Sequence, residues 1–341
     1  MALSVLICDD SSFARKQLSR ALPDMLAHNV EFAGNGQEAL ELLRAGAAEL
    51  LFLDLNMPVM DGYQTLEAIS REELDVTTIV VSGDIQTEAK TRVLALGALD
   101  FIKKPITKEQ LAAALIDFGI LSATQRQTPE KKPPATTTKT QQPQTSLIDT
   151  YQEITNVAMG QAASLLAELL GVFIQLPIPN VNEMDFSDLQ MFLADAHSEE
   201  DLSVICQGFI GFGISGEALL TFNNASTEDL SKLMSYHDSG TVENKMELLM
   251  DVSSILIGAC LNSIAKQLDI NFSQGSPVIL GQQVKISDLL ASNNQKWKKN
   301  LAIEINYAIE GYNINCDLIV LFTEDSLPNL ARRAGYLMEV E

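Results

Sequence analysis

LLFLDLNMPVMDG, residues 50–62, decides how the rest of the chain is read. Apolar residues run into Asp54, and the turn-forming Asn56, Met57, Pro58 and Asp61-Gly62 follow. A short continuous apolar run bounded by turn signals predicts a strand buried on both faces, as in a parallel sheet. Asp54 then stands at the C-terminal edge of that sheet, where open α/β sheets hold their ligands. A carboxylate there needs a reason.

The flanking residues repeat the pattern. Val5 to Cys8 is an apolar strand entering Asp9-Asp10, and Ser11-Ser12 can cap a helix with Phe13, Leu18, Ala21 and Leu22 at helical spacing. Val30 to Ala33 is a second strand, closed by Gly34-Asn35-Gly36, and Gln37 to Ala45 is helical with Leu40 and Leu43 inward. After Asp54 come a helix from about Tyr63 to Glu73, a strand Thr78 to Val81 ending in Ser82-Gly83-Asp84, and a helix near Thr87 to Leu96. Asp100 to Lys103 is a fifth strand, stopped by Lys104-Pro105, and Lys108 to Phe118 closes the series as a helix. Five alternating β/α units predict a doubly wound parallel sheet with right-handed crossovers. Asp9, Asp10, Asp54, Ser82 and Lys104 then gather at one edge. Clustered carboxylates raise one another's pKa, and a hard divalent cation relieves the repulsion. All-oxygen ligation with few protein ligands suits Mg²⁺.

At this point a resemblance enters. Residues 3 to 120 resemble the receiver domain of two-component response regulators, the CheY-like, flavodoxin-like fold, through Asp9-Asp10, DLNMPVMDG, Ser82-Gly83 and FIKKPI. The resemblance implies that Asp54 is the phosphoacceptor for a sensor histidine kinase. It implies that Asp10, Asp54 and the Asn56 backbone carbonyl hold Mg²⁺, with Asp9 acting through water. Ser82 and Lys104 would bind the phosphoryl group, Phe101 would be the aromatic switch, and the Lys104-Pro105 bond would be cis.

Bulk composition limits the rest. The 341 residues suffice for two or more domains. A net charge of −22 argues against nucleic-acid or anionic-membrane binding. MALSVLICDD has no signal-peptide pattern, and no apolar run approaches the ~20 residues of a membrane span. Cys8, Cys206, Cys260 and Cys316 stand singly and read as reduced core cysteines of a cytoplasmic protein. His28, His197 and His237 show no metal-site spacing. The receiver spans 1–121. Residues 122–146, rich in Pro, Thr, Gln and Lys, read as a disordered linker with a span of ~27 Å.

Residues 147–341 contain two long amphipathic segments, Ser146 to Leu170 and Glu243 to Leu268, each followed by a β-rich stretch. Gly160 and Gly258, Pro179 and Pro277, and Gly213 and Gly311 are each 98 residues apart. These predict an internal repeat, an α+β domain with a pseudo-twofold axis. On the first segment Asp149, Glu153 and Asn156 stand at i, i+4 and i+7 on one face, with Ile154, Val157, Leu165 and Leu169 on the face that packs.

Asp149-x3-Glu153-x2-Asn156-x22-Pro179 resembles the signature of the CheC/CheX/FliY phosphatases, which dephosphorylate CheY-like receivers. The resemblance implies that Asn156 orients the attacking water and Glu153 pairs with the receiver lysine, Lys104 if the substrate is this chain's own receiver. Asp149 would support the face. The second copy keeps the spacing with Glu247, Asp251, Ser254 and Pro277, but Asp and Ser replace Glu and Asn, so it reads as a degenerate site. The implied protein is a response regulator whose output domain hydrolyses aspartyl phosphate, in trans or on Asp54, in chemotaxis-type signalling. The alternative is a phosphorylation-controlled binding module, with a CheD-like protein as one partner. A homodimer follows only by analogy with related CheX proteins.

Overall fold

A computed structural model of the chain describes residues 3–121, 146–185, 202–233, 242–282 and 299–339. The linker reading at 122–145, His197 and His237 lie outside the described residues. The chain divides into two compact units, Met1–Ser82 with Lys90–Ser146, and Gly83–Ala89 with Leu147–Glu341.

The first unit is a parallel sheet of β1 (Val5–Cys8), β2 (Val30–Ala33), β3 (Leu50–Leu53), β4 (Thr77–Ser82) and β5 (Asp100–Lys103), in the order β2-β1-β3-β4-β5. Between the strands run α1 (Ser12–Ala21), α2 (Gly36–Arg44), α3 (Gly62–Arg71) and α4 (Thr87–Ala95), and α5 (Lys108–Asp117) closes the series. Every residue of β1 and β3 is buried, which explains their unbroken apolar runs. Val5, Ile7, Leu50, Phe52 and Ile79 pack with Leu18 and Leu22 near α1 and with Leu111 and Leu115 of α5. Leu6, Cys8, Leu51, Leu53 and Val80 pack on the opposite face with Leu40 of α2 and Leu66 of α3. Local chemistry starts the helices. Ser11 accepts from the Ala14 N–H at 3.1 Å, and Asp61 forms a capping box with Gln64. A Cβ at residue 62 would run into the Asp54 carbonyl, so the turn after Asp54 requires glycine. Strand β4 extends one residue further at each end than its pattern predicts, so Ser82 is its last residue.

The second unit carries the repeat. Helix α6 (Leu147–Leu170), β6 (Ile174–Gln175), β7 (Asn180–Asp185), the hairpin β8 (Leu202–Gly211) and β9 (Ile214–Asn223), and α7 (Asn224–Leu233) form one half. The other half comprises α8 (Val242–Gln267), β10 (Ser273–Gln274), β11 (Val278–Gln282), the hairpin β12 (Lys299–Ile309) and β13 (Asn315–Phe322), a 3-10 turn, and α9 (Leu327–Glu339). The halves exchange strands. β6 and β7 pair with β12, β10 and β11 pair with β8, and β9 meets β13 antiparallel at the centre. Two buried serines secure the exchange. Ser226 Oγ donates to the Asn315 carbonyl and accepts its N–H, both at 2.9 Å, while Ser326 Oγ donates to the Ser215 carbonyl at 3.0 Å and accepts its N–H at 2.7 Å.

Helices α6 and α8 pack together in the core of this unit, with Ile154, Ala158, Ala162 and Leu166 of α6 beside Leu249, Val252, Leu256 and Cys260 of α8. Leu165 and Leu169, expected on the packed face, are 50% and 45% exposed. The buried stripe runs 154-158-162-166-170, and both leucines fall one residue, about 100°, off it. One helical stretch among the described residues, Met246–Gln267 of α8, is long and apolar enough to cross a membrane, contrary to the sequence expectation. It is a core helix here, since Leu248, Leu249, Val252, Leu256, Ile257 and Leu261 are buried. Residues 83–89 belong to this unit. Gln86 donates to the Ile174 carbonyl at 2.8 Å and accepts its N–H at 2.9 Å.

Candidate functional site

Four strand ends of the first unit supply the acidic pocket. Asp9 and Asp10 follow β1, Asp54 follows β3, Ser82 ends β4, and Lys104 follows β5 through a cis bond to Pro105. Carboxylate oxygens of Asp9, Asp10 and Asp54 lie within 4.8 Å of one another. Lys104 Nζ stands 2.7 Å from Asp9 Oδ2 and 3.1 Å from Asp54 Oδ1. The Ser11 N–H donates to Asp9 Oδ1 at 2.9 Å, and the Asn56 N–H donates to Asp54 Oδ2 at 3.1 Å. Ser82 is fully buried, and Phe101 is half-buried against the core beside β4.

Burial sets the electrostatics. It raises the Asp54 pKa to about 6, with Lys104 opposing and Asp9 adding to the rise. Asp10 rises to about 7 through burial and the neighbouring Asp9 and Asp54. Asp10 Oδ1 is buried without a hydrogen-bond partner. An orphaned carboxylate oxygen in an all-oxygen acidic set fits a hard divalent cation such as Mg²⁺. Asp9 is otherwise engaged, both its oxygens having protein partners.

Helix α6 of the second unit carries the other predicted group. Asp149 is half-buried, whereas Glu153 and Asn156 are 3% and 6% exposed, so the face read as open is closed. The backbone of Gly83 lies against it: a Cβ there would stand 2.9 Å from the Asn156 carbonyl oxygen, and one at residue 160 would run into the Gly83 carbonyl. Asn156 Oδ1 is buried and unpartnered. On α8 the corresponding Asp251 and Ser254 are exposed, and the Ser254 hydroxyl donates to the Met250 carbonyl at 2.8 Å. His28 is exposed, and all four cysteines are free, with Cys206 half-buried and the others buried.

Sequence reasoning missed Arg15. Its Nη1 donates to the carbonyl oxygens of Asp9 and Asp10. A cation near a helix N-terminus opposes the helix dipole, and that was the available signal.

Residues 5–116 match the model of the response regulator receiver domain. A protein-glutamate methylesterase/protein-glutamine glutaminase of Syntrophomonas wolfei is 41% identical over 108 residues, 30% of this chain and 29% of that protein. The probable C4-dicarboxylate response regulator DctR of Bacillus subtilis is 40% identical over 83 residues, 24% of this chain and 37% of that protein. The chain thus spans about a third of these relatives, and the likeness to the methylesterases covers the receiver alone. Among solved structures, FliY of Thermotoga maritima is similar at 18% identity and a TM-score of 0.44, covering 56% of this chain and 96% of that one. The matched range contains the whole acidic pocket at the sheet edge: the N-terminal part of the chain is a response regulator receiver domain.

Proposed function

We propose that this chain is a cytoplasmic two-component response regulator, phosphorylated on Asp54 by a histidine kinase, whose C-terminal unit hydrolyses the aspartyl phosphate of a CheY-like receiver. In the first step an Asp54 oxygen attacks the phosphorus of a phosphohistidine. The P–O bond forms as the P–N bond breaks, and the imidazole leaves. A carboxyl raised only to about 6 is mostly ionised at neutral pH, as a nucleophile must be. Bound by Asp10, Asp54 and the Asn56 carbonyl, Mg²⁺ would supply neutralisation of phosphoryl charge. Lys104 adds the second cation, and the Ser82 hydroxyl donates to a phosphoryl oxygen.

An aspartyl phosphate is an activated acyl phosphate, so its hydrolysis needs mainly a water held in line. A carboxamide can accept from and donate to that water without titrating. Asn156 has this group, with a buried acceptor left unspent. That is the observation on which the hydrolase reading rests, because buried amide oxygens are usually satisfied. Glu153, one turn earlier, would pair with the receiver lysine. Both are closed to solvent, so the groups that cover this face must move before a receiver in trans can reach them.

Their closure is also the observation that favours a second reading, a binding module whose affinity for a partner such as a CheD-like protein follows Asp54 phosphorylation. One experiment separates the two. The full chain is charged with acetyl phosphate, the donor is removed, and phosphate loss is followed in wild type and Asn156→Ala across protein concentrations. Loss abolished in the variant supports hydrolysis, in cis if concentration-independent and in trans if it rises with concentration. Equal loss in both proteins leaves the binding module.

A further inference from the structure

Arg15 stands in the first half of α1, where the helix dipole disfavours a cation, and its hydrogen bonds go to backbone rather than to a carboxylate. Nη1 donates to the Asp9 carbonyl and, at 3.1 Å, to the Asp10 carbonyl, while Nε is buried without a partner. Two successive peptide groups of the β1–α1 turn are therefore tied to one guanidinium nitrogen. These are the peptides that carry the two neighbouring carboxylates of the pocket.

Those carboxylates repel each other and Asp54, which is part of why Asp10 rises to about 7. A turn free to rotate about its φ and ψ angles would relieve the repulsion by splaying the acids apart. The Ser11 N–H fixes the Asp9 side chain at 2.9 Å, and the Asp54 N–H bonds the Cys8 carbonyl at 2.9 Å, just before the pair. The Asp9 N–H also donates to the Ala33 carbonyl at 3.1 Å, and the Arg15 bridge fixes the Asp10 carbonyl that follows.

We propose that Arg15 is a positioning residue for the divalent cation: it holds the Asp9–Asp10 turn so that the acidic pocket converges before a cation arrives. This rests on the pocket being a cation site and is independent of any activity of the C-terminal unit. Two effects of opposite sign make it testable. As a charge, Arg15 repels a dication, so its removal should tighten binding. As a clamp, it preorganises the ligands, so its removal should weaken binding. Residues that orient metal ligands from behind typically change affinity 10- to 100-fold when removed.

The test is calorimetric titration of the full chain with MgCl₂ at pH 8, for wild type, Arg15→Gln and Arg15→Lys, with melting temperatures in EDTA alongside. The expected result is binding weakened about tenfold or more in Arg15→Gln. The fall should be smaller in Arg15→Lys, whose ammonium keeps the charge and can still reach a carbonyl. Unchanged or tighter Mg²⁺ binding by Arg15→Gln overturns the proposal. If Arg15→Gln does not fold, Arg15→Lys decides by the same criterion: weaker binding supports the clamp, and equal or tighter binding refutes it. Absence of Mg²⁺ binding by wild type would remove the pocket reading itself, and the proposal with it.

Discussion

Nζ of Lys104 lies 3.1 Å from Oδ1 of Asp54, and both side chains are almost wholly buried. The same ammonium reaches Asp9 at 2.7 Å, so one cation serves two carboxylates. Removing one partner of a buried ion pair leaves uncompensated charge, at a cost of about 3–5 kcal/mol. Lys104→Met should therefore lower the stability of the receiver in EDTA by about that amount. Saturating Mg²⁺ should restore part of it, since the ion takes over the neutralisation. Urea denaturation with and without Mg²⁺ checks both outcomes.

Asp10 and Asp54 give the metal-free receiver an unusual pH response. Their carboxyls rise from 3.8 to about 7 and about 6, so across pH 4 to 7 the folded state holds protons that the unfolded chain has released. Stability must fall as pH rises through that window and level off above it, by at most about 1.4 kcal/mol per pH unit for each group. In EDTA the receiver should melt several degrees lower at pH 8 than at pH 5, and Asp10→Asn should flatten the difference. Mg²⁺ binds the ionised acids, so its stabilising shift should grow with pH. Differential scanning calorimetry at the two pH values measures all three.

In the second unit the exchange of strands between halves depends on two hydroxyls. Ser226 and Ser326 are buried, and each bonds both the N–H and the carbonyl of a residue in the other half. Ser226→Ala and Ser326→Ala should each cost about 0.5–1.5 kcal/mol by removing the two hydrogen bonds that tie the halves together. Asn315 and Ser215 lie at opposite ends of the β9–β13 ladder, so the double variant should show nearly the sum. Equilibrium denaturation of the three variants tests the expectation.

The features legible in the sequence were those with a local or periodic cause. The all-apolar β1 and β3 and the Ser11 cap lie where pattern and propensity place them, while Asp61, read as a turn residue, also caps α3. The acidic pocket was legible because a parallel sheet brings every strand end to one edge. The repeat was legible through its 98-residue spacing, which the structure returns as exchanged strand pairs. Helical spacing correctly put Glu153 and Asn156 on one face, but a period gives azimuth and says nothing of what packs there. Their burial comes from tertiary packing. The serine bonds, between residues 89 and 111 apart in sequence, have no local signal at all.

Asn156 offers the sharpest separation of structure from function. Its Oδ1 is buried without a partner, a state that costs stability and that a core position has no reason to keep. Replacing the amide by an apolar side chain of similar size removes that cost. Asn156→Met should therefore be neutral or stabilising by about 1 kcal/mol, within the usual penalty for an unsatisfied buried group. In the same protein, aspartyl-phosphate loss attributable to the C-terminal unit should vanish. A structural asparagine would behave the opposite way, its loss lowering the melting temperature and leaving phosphate turnover untouched. Paired measurement of thermal stability and phosphate release on Asn156→Met decides between them, and Glu153→Gln provides the companion case. There the carboxylate charge is lost while shape is kept, so turnover should fall with little change in fold.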